Sequence, residues 1–171
     1  MRPGPSPSTP PPPPEFRALH VERFIAISVC GPLVINTWTG PTQHGAPQAR
    51  RMLDAMKRLR EGSHAKLLLY VYLIGETASI PDGEARKINA QLLEYFDACV
   101  GIHEGNSLRA SLVRGVVTST AMLSRLRRPR MPQIVSTAGE AARALAPQAG
   151  GDLDEAAILA AIEETRRLSL S

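Results

Sequence analysis

A chain of 171 residues with 43% hydrophobic residues can bury one sizeable core, which favours a single domain with appended segments over two domains. Only 4% of the residues are aromatic, so few rings are present to stack on nucleic-acid bases. The formal charge of +4 has a local origin, because 105–139 holds six arginines and no acidic residue. These features argue against specific nucleic-acid binding.

The first predicted segment, 1–19, is a disordered proline-rich tail. Eight of the fifteen prolines lie within 1–14, and no large hydrophobic residue follows Met1 there to offset the entropy of ordering. Two interpretations stay open for this tail. It acts as a solvated spacer, or 10–14 forms a polyproline II ligand for an aromatic groove of another protein.

An antiparallel hairpin is predicted over 24–39. Apolar residues alternate with period two on both sides of a Gly31-Pro32 turn, and Gly40 ends the second strand. Trp38, the only tryptophan, is either a buried anchor at the sheet edge or part of a ligand pocket.

The sequence pattern in the middle of the chain predicts half of a βαβ unit. An amphipathic helix is expected at 46–60, with its basic residues on the solvated side. The run KLLLYVYLI, 66–74, is apolar on both faces of the pleat, which predicts a central strand covered on both sides. A polar loop, 75–84, then leads into a second helix, and Ser79 and Asp82 have the spacing of an N-terminal capping arrangement.

Two more parallel strands and three helices complete the prediction. Strands are expected at 98–103 and 133–136, and the helix 107–123 between them carries an apolar arc wide enough for burial on several sides. A Thr137 capping box opens a helix that runs through Leu145. The last helix, to about Leu168, either packs on its own sheet or pairs with another subunit or partner.

The predicted fold class is α/β, with a mixed sheet in which an N-terminal antiparallel hairpin precedes βαβαβα units and an extra C-terminal helix follows. This element order, Gly40, the helix LRASLVRGVVTSTAML and the ending PQIVSTAGEAARAL resemble the STAS-like fold of anti-sigma-factor antagonists. The resemblance is closer to the SpoIIAA-like (STAS/CRAL-TRIO-like) bacterial proteins. It implies a STAS-like domain at 20–147, followed by a linker and amphipathic helix at 148–171.

The resemblance also implies two functions. The first is a cytoplasmic, non-enzymatic regulator that binds a protein partner or forms a homodimer, with a phosphorylation switch at Thr77 or Ser79. The loop departs from the family pattern because it lacks an Asp-Ser-Ser-Gly sequence, and a simple N-cap role for Ser79 is the alternative. The second function is the binding of a small apolar or lipid-like ligand, as in CRAL-TRIO relatives.

Two groups of polar residues are candidate interaction sites. The first is a partner-binding edge at the carboxyl ends of the parallel strands, where α/β sheets usually place ligands. Its residues are Glu76, Asp82, Glu104 and Asn106. The second is a basic patch formed by Arg125, Arg127, Arg128 and Arg130. The alternative is that these cations only complement the dipole of the preceding helix.

Catalytic and metal-binding signatures are not recognisable in the sequence. It contains no G-x-S-x-G elbow, no P-loop and no G-x-G-x-x-G, and its four histidines do not have metal-ligand spacing. We therefore expect no enzymatic activity, no cofactor and no metal. The two cysteines form no C-x-x-C pair, and neither a signal peptide nor a membrane span is apparent, so a cytoplasmic protein with free thiols is expected.

Overall fold

The computed structural model describes residues 16–41, 45–62, 68–79, 81–105 and 133–171. Within these ranges, one six-stranded sheet lies between two layers of helices. In chain order the elements are β1 (Phe16–Glu22), β2 (Ile25–Cys30), β3 (Leu33–Trp38), α1 (Ala46–Gly62), β4 (Leu69–Ile74), α2 (Gly83–Leu92), β5 (Ala98–His103), β6 (Gln133–Val135), α3 (Ala138–Leu145) and α4 (Glu155–Ser169). The predicted α/β fold with a mixed sheet is confirmed. Among the described residues, no helix has the length and apolar composition needed to cross a bilayer.

The strands lie in the sheet in chain order, from β1 to β6. β1, β2 and β3 are antiparallel neighbours, whereas β3 to β6 run parallel to one another. β4 therefore lies in the interior of the sheet, as the run 66–74 predicts. Val71 at its middle is opposite Ile35 on one side and Val100 on the other.

Both faces of β4 are covered, which explains why its sequence is apolar throughout. Leu69, Val71 and Leu73 pack in the core formed with α3 and α4. Tyr70 and Tyr72 point to the opposite face, where the core is formed with α1 and α2. Because successive side chains of a strand alternate between faces, a strand that is buried on both sides needs apolar residues at every position.

The prediction of a tail through residue 19 is wrong from Phe16 onward, because β1 begins there and pairs with β2. Residues 1–15 lie outside the described part of the chain. Most β1 side chains are exposed, and the register shifts between Ala18 and His20. Such a bulge interrupts the period-two pattern by which a strand is recognised, so β1 has no local signal in the sequence.

Helix α4 packs on its own sheet, which is one of the two arrangements expected for it. Ile158, Ala161 and Ile162 are fully buried in the same core as Leu69. At the end of the helix, Phe24 N donates a hydrogen bond to the carbonyl oxygen of the last helical residue at 2.8 Å. The division between 20–147 and 148–171 thus crosses one continuous hydrophobic core.

The helix starts differ in how well the sequence predicts them. The Thr137 capping box is confirmed, since Glu140 N donates to Thr137 Oγ1 and Thr137 N donates to the Glu140 carboxylate. In α2 the N-cap is Asp82, whose Oδ1 accepts a hydrogen bond from Ala85 N at 2.7 Å. The N-cap role for Ser79 is therefore wrong, because a carboxylate directly before the first helical residue caps the helix instead.

Candidate functional site

A cavity of about 200 Å³ lies between α1 and the antiparallel part of the sheet. Its floor is formed by β2 and β3, one wall by α1, and the other wall by the edge strand β1. The three elements come from separate parts of the sequence. The cavity therefore depends on how β1 is added to β2 and on how α1 crosses the sheet.

The floor of the cavity is apolar. Ile25, Ile27 and Trp38 line it, and each is less than 8% exposed. They share a face because Ile25 is opposite Trp38 in the antiparallel register and because Ile27 lies two residues further along β2. Trp38 is buried, as one interpretation of the sequence expects, but on an interior strand, and that the cavity it lines binds a ligand stays a prediction.

Asn36 interrupts this apolar floor. Its Nδ2 donates a hydrogen bond to Tyr70 Oη at 3.2 Å and contacts Met52 Sδ at 3.5 Å. Its Oδ1 is buried and has no hydrogen-bond partner among the described residues. An unsatisfied buried acceptor costs about 1–3 kcal/mol.

Tyr70 fixes the orientation of the Asn36 amide. Its ring stacks on Phe96 with centroids 4.5 Å apart. Burial raises the pKa of the Tyr70 hydroxyl well above its usual range, and the hydrogen bond from Asn36 opposes this rise only in part. The hydroxyl is therefore neutral at physiological pH.

The rim of the cavity is polar and charged. From β1, His20 and Glu22 line it and contact each other, with Nε2 and Oε1 3.1 Å apart. From α1, Gln48 and Arg51 complete the rim. Arg51 is exposed and has no ion-pair partner within the described ranges. An apolar floor with a charged rim suits a ligand that has an apolar body and one polar end.

The predicted switch loop lies at the carboxyl ends of β3 and β4. Thr77 is exposed, and its Oγ1 donates to the backbone oxygen of Thr39 at 3.2 Å. Ser79 is half-buried. Modification of either hydroxyl stays a prediction.

The predicted partner-binding edge is brought together only in part. Glu76 packs against Gly105, since a Cβ on Gly105 would lie 2.8 Å from Glu76 Cδ. Glu104 lies at the same edge and accepts a hydrogen bond from Arg166 of α4 at 3.0 Å. Burial raises the pKa of Glu104, although Arg166 opposes that effect. The Asp82 carboxylate caps α2 by accepting a hydrogen bond from Ala85 N.

Several predicted residues cannot be compared with the structure. Asn106 and the basic patch of Arg125, Arg127, Arg128 and Arg130 lie outside the described residues.

The cavity residues other than Trp38 were missed by sequence reasoning. β1 carries no strand signal, and the basic residues of α1 have the pattern of a solvated helix face. The one available signal was Asn36, a polar side chain on a face of β3 whose neighbours are apolar. Among the described residues, no three His, Cys, Asp or Glu side chains group as a metal site. No protein-family model, curated protein or solved structure matches this chain.

Proposed function

We propose that this chain is a non-enzymatic binding module that holds a small apolar or lipid-like ligand between β1 and α1. The observation that carries this proposal is the cavity of about 200 Å³ with its apolar floor and polar rim. Ligand pockets are typically lined by apolar side chains with a few polar groups that fix orientation. An apolar cavity of about 150 Å³ accepts benzene, so this one suits a ligand on the order of ten heavy atoms.

The side chains around the cavity support the proposal. Trp38 offers a large apolar surface of fixed shape, and the unbranched Met52 adapts to ligands of different outline. Asn36 adds support because it places a polar amide, held by Tyr70, within the apolar lining, and such polar groups fix the orientation of a ligand.

The chain contains its own reporter for this function, because its only tryptophan lines the cavity. A neutral probe such as 3-phenylpropan-1-ol, which does not absorb at 295 nm, should shift Trp38 emission in a saturable way. Native mass spectrometry of the purified protein should in addition show a retained small molecule.

A matched pair of variants tests the location. Ala55→Leu fills the cavity and should abolish both signals. Asp54→Leu changes the neighbouring exposed residue of α1, which does not line the cavity, and should leave both signals intact. A wild-type protein that is consistently empty, with Trp38 emission insensitive to the probe, would refute the proposal.

A regulatory, protein-binding module like the anti-sigma-factor antagonists is the second candidate function. It is favoured by the edge strand β1, where Leu19 is 37% and Val21 is 43% exposed. An edge strand offers unpaired backbone groups and apolar side chains to a partner strand. The exposed Glu76 and Thr77 of the predicted switch loop add a second accessible surface.

A tagged pull-down from native lysate, with phosphosite mapping, tests this second candidate. Wild type and Leu170→Lys should recover the same stoichiometric partner, because Leu170 is exposed at the end of α4 and not on β1. Val21→Lys places a charge on the edge strand, so this variant should no longer recover the partner. The candidate fails if no stoichiometric partner and no phosphate at Thr77 or Ser79 is recovered.

A further inference from the structure

We infer that the cavity binds a small monocarboxylic acid, whose carboxylate pairs with Arg51 while its apolar body lies on the floor. This inference rests on the proposed ligand-binding function and adds the chemical class of the ligand. It starts from the position of Arg51, which lines the cavity from α1 and is exposed to incoming solutes.

Arg51 is the cation that the rim leaves available. His20 and Glu22, the other ionisable groups at the rim, lie within 3.1 Å of each other. Elsewhere on α1, Arg50 is paired with Glu84, and Arg60 lies 3.7 Å from an Asp97 oxygen. Arg51 has no such carboxylate among the described residues, so within this part of the chain a ligand carboxylate has no ion pair of Arg51 to displace.

The chemistry of the guanidinium favours a carboxylate. Its planar fork of N–H donors matches the two oxygens of a carboxylate, and the two parallel hydrogen bonds fix the direction in which the ligand enters. The floor below has Ile25, Ile27 and Trp38 ready to contact an apolar body. A ligand ammonium would instead meet Glu22, whose Oε1 lies 3.1 Å from His20 Nε2, so the amino acid phenylalanine is a separate probe of the rim.

Four probes with the same apolar body separate these possibilities. 3-Phenylpropanoate carries the carboxylate, 3-phenylpropan-1-ol is neutral, phenylalanine adds an ammonium group to the acid, and 3-phenylpropylamine carries the ammonium group alone. Each has on the order of ten heavy atoms, as the cavity volume requires. Affinities are measured on the full chain by Trp38 emission excited at 295 nm and by isothermal titration calorimetry.

The expected result is that 3-phenylpropanoate binds about tenfold more tightly than 3-phenylpropan-1-ol, as hydrogen bonds to a charged group imply. Arg51→Gln should remove that advantage and leave the affinity of the alcohol within about twofold, because only the charged interaction is lost. Arg51→Glu should reverse the preference, so that 3-phenylpropylamine binds more tightly than the acid.

Arg58→Gln is the matched control. Arg58 is exposed on α1 and seven residues after Arg51, so it lies two turns along the same side, about 10 Å away, and does not line the cavity. Its loss removes the same charge and should leave the preference for the acid unchanged. Gln is also a good helix former, so neither substitution should unfold α1.

The outcomes separate the two proposals. If the alcohol and the acid bind equally well and Arg51→Gln changes neither, the cavity binds ligands but the inference is overturned. Tighter binding of phenylalanine than of 3-phenylpropanoate also overturns it, in favour of an amino acid ligand. If none of the probes binds, the proposed function itself fails.

Discussion

Replacing Thr165 with Val should weaken the attachment of α4 to the sheet. Thr165 and Ser28 are fully buried, and their hydroxyl groups form a hydrogen bond between α4 and β2. Thr165 Oγ1 donates its own proton to the backbone oxygen of Ala161 at 2.7 Å. The Ser28 hydroxyl must therefore be the donor to Thr165 Oγ1, and Val leaves that donor buried without a partner.

The size of the effect follows from this arrangement. Leaving one buried hydroxyl unsatisfied costs about 1–3 kcal/mol, so Thr165→Val should lower the free energy of unfolding by that amount. Replacing both partners by apolar groups removes the unsatisfied donor and can be nearly neutral. The double variant Ser28→Ala/Thr165→Val should consequently be more stable than Thr165→Val alone.

Urea denaturation followed by far-UV circular dichroism measures these differences in the free energy of unfolding. Thr77→Val is the control, because its hydroxyl also donates to a backbone oxygen but is exposed, and it should change stability by less than about 0.5 kcal/mol. The reasoning is refuted if Thr165→Val is as stable as wild type, or if adding Ser28→Ala lowers stability further.

Three further predictions concern packing and pH. Gly101→Ala should lower the free energy of unfolding by about 1–3 kcal/mol, because the new Cβ would lie 2.3 Å from Tyr72 Cζ. In a double-mutant cycle, Gly101→Ala should cost much less in a Tyr72→Ala background, because the clashing ring is gone. Burial raises the pKa of Glu104 in the folded state. The free energy of unfolding should therefore fall as pH rises from about 4.5 through the folded-state pKa. In Glu104→Gln this decrease should be absent. Backbone N–H groups lower the pKa of Glu140, so its contribution should be lost as pH falls through its folded-state pKa. The two assignments predict opposite changes of the curve, so a pH titration of unfolding in which Glu104→Gln and Glu140→Gln change it in the same direction would contradict the one whose direction is reversed.

Local patterns were sufficient to predict most of the fold. The run 66–74 indicated an interior strand because a strand covered on both faces has no polar side. The Thr137 capping box was readable because its donor and acceptor lie three residues apart in the chain. Such signals depend on neighbouring residues only, so they survive without knowledge of the tertiary structure.

Other features depended on contacts between distant segments. The sequence predicts that Gly40 ends a strand, but only the structure shows why a glycine is needed, since a Cβ there would lie 2.3 Å from Phe24 Cγ. The place of α4 was undecided in the sequence, because an amphipathic stripe indicates burial without identifying the surface that covers it. Its contacts with β2 and β3 decided between the two arrangements.

The candidate site belongs to this second class. The sequence determined an α/β sheet with an apolar core and an isolated Asn36, because periodicity and composition are properties of the chain itself. Only the tertiary structure decided that β1 extends the sheet and that Arg51 and Trp38 line the same cavity. A cavity is the space left between elements, and its shape follows from register and helix placement, which no local pattern records.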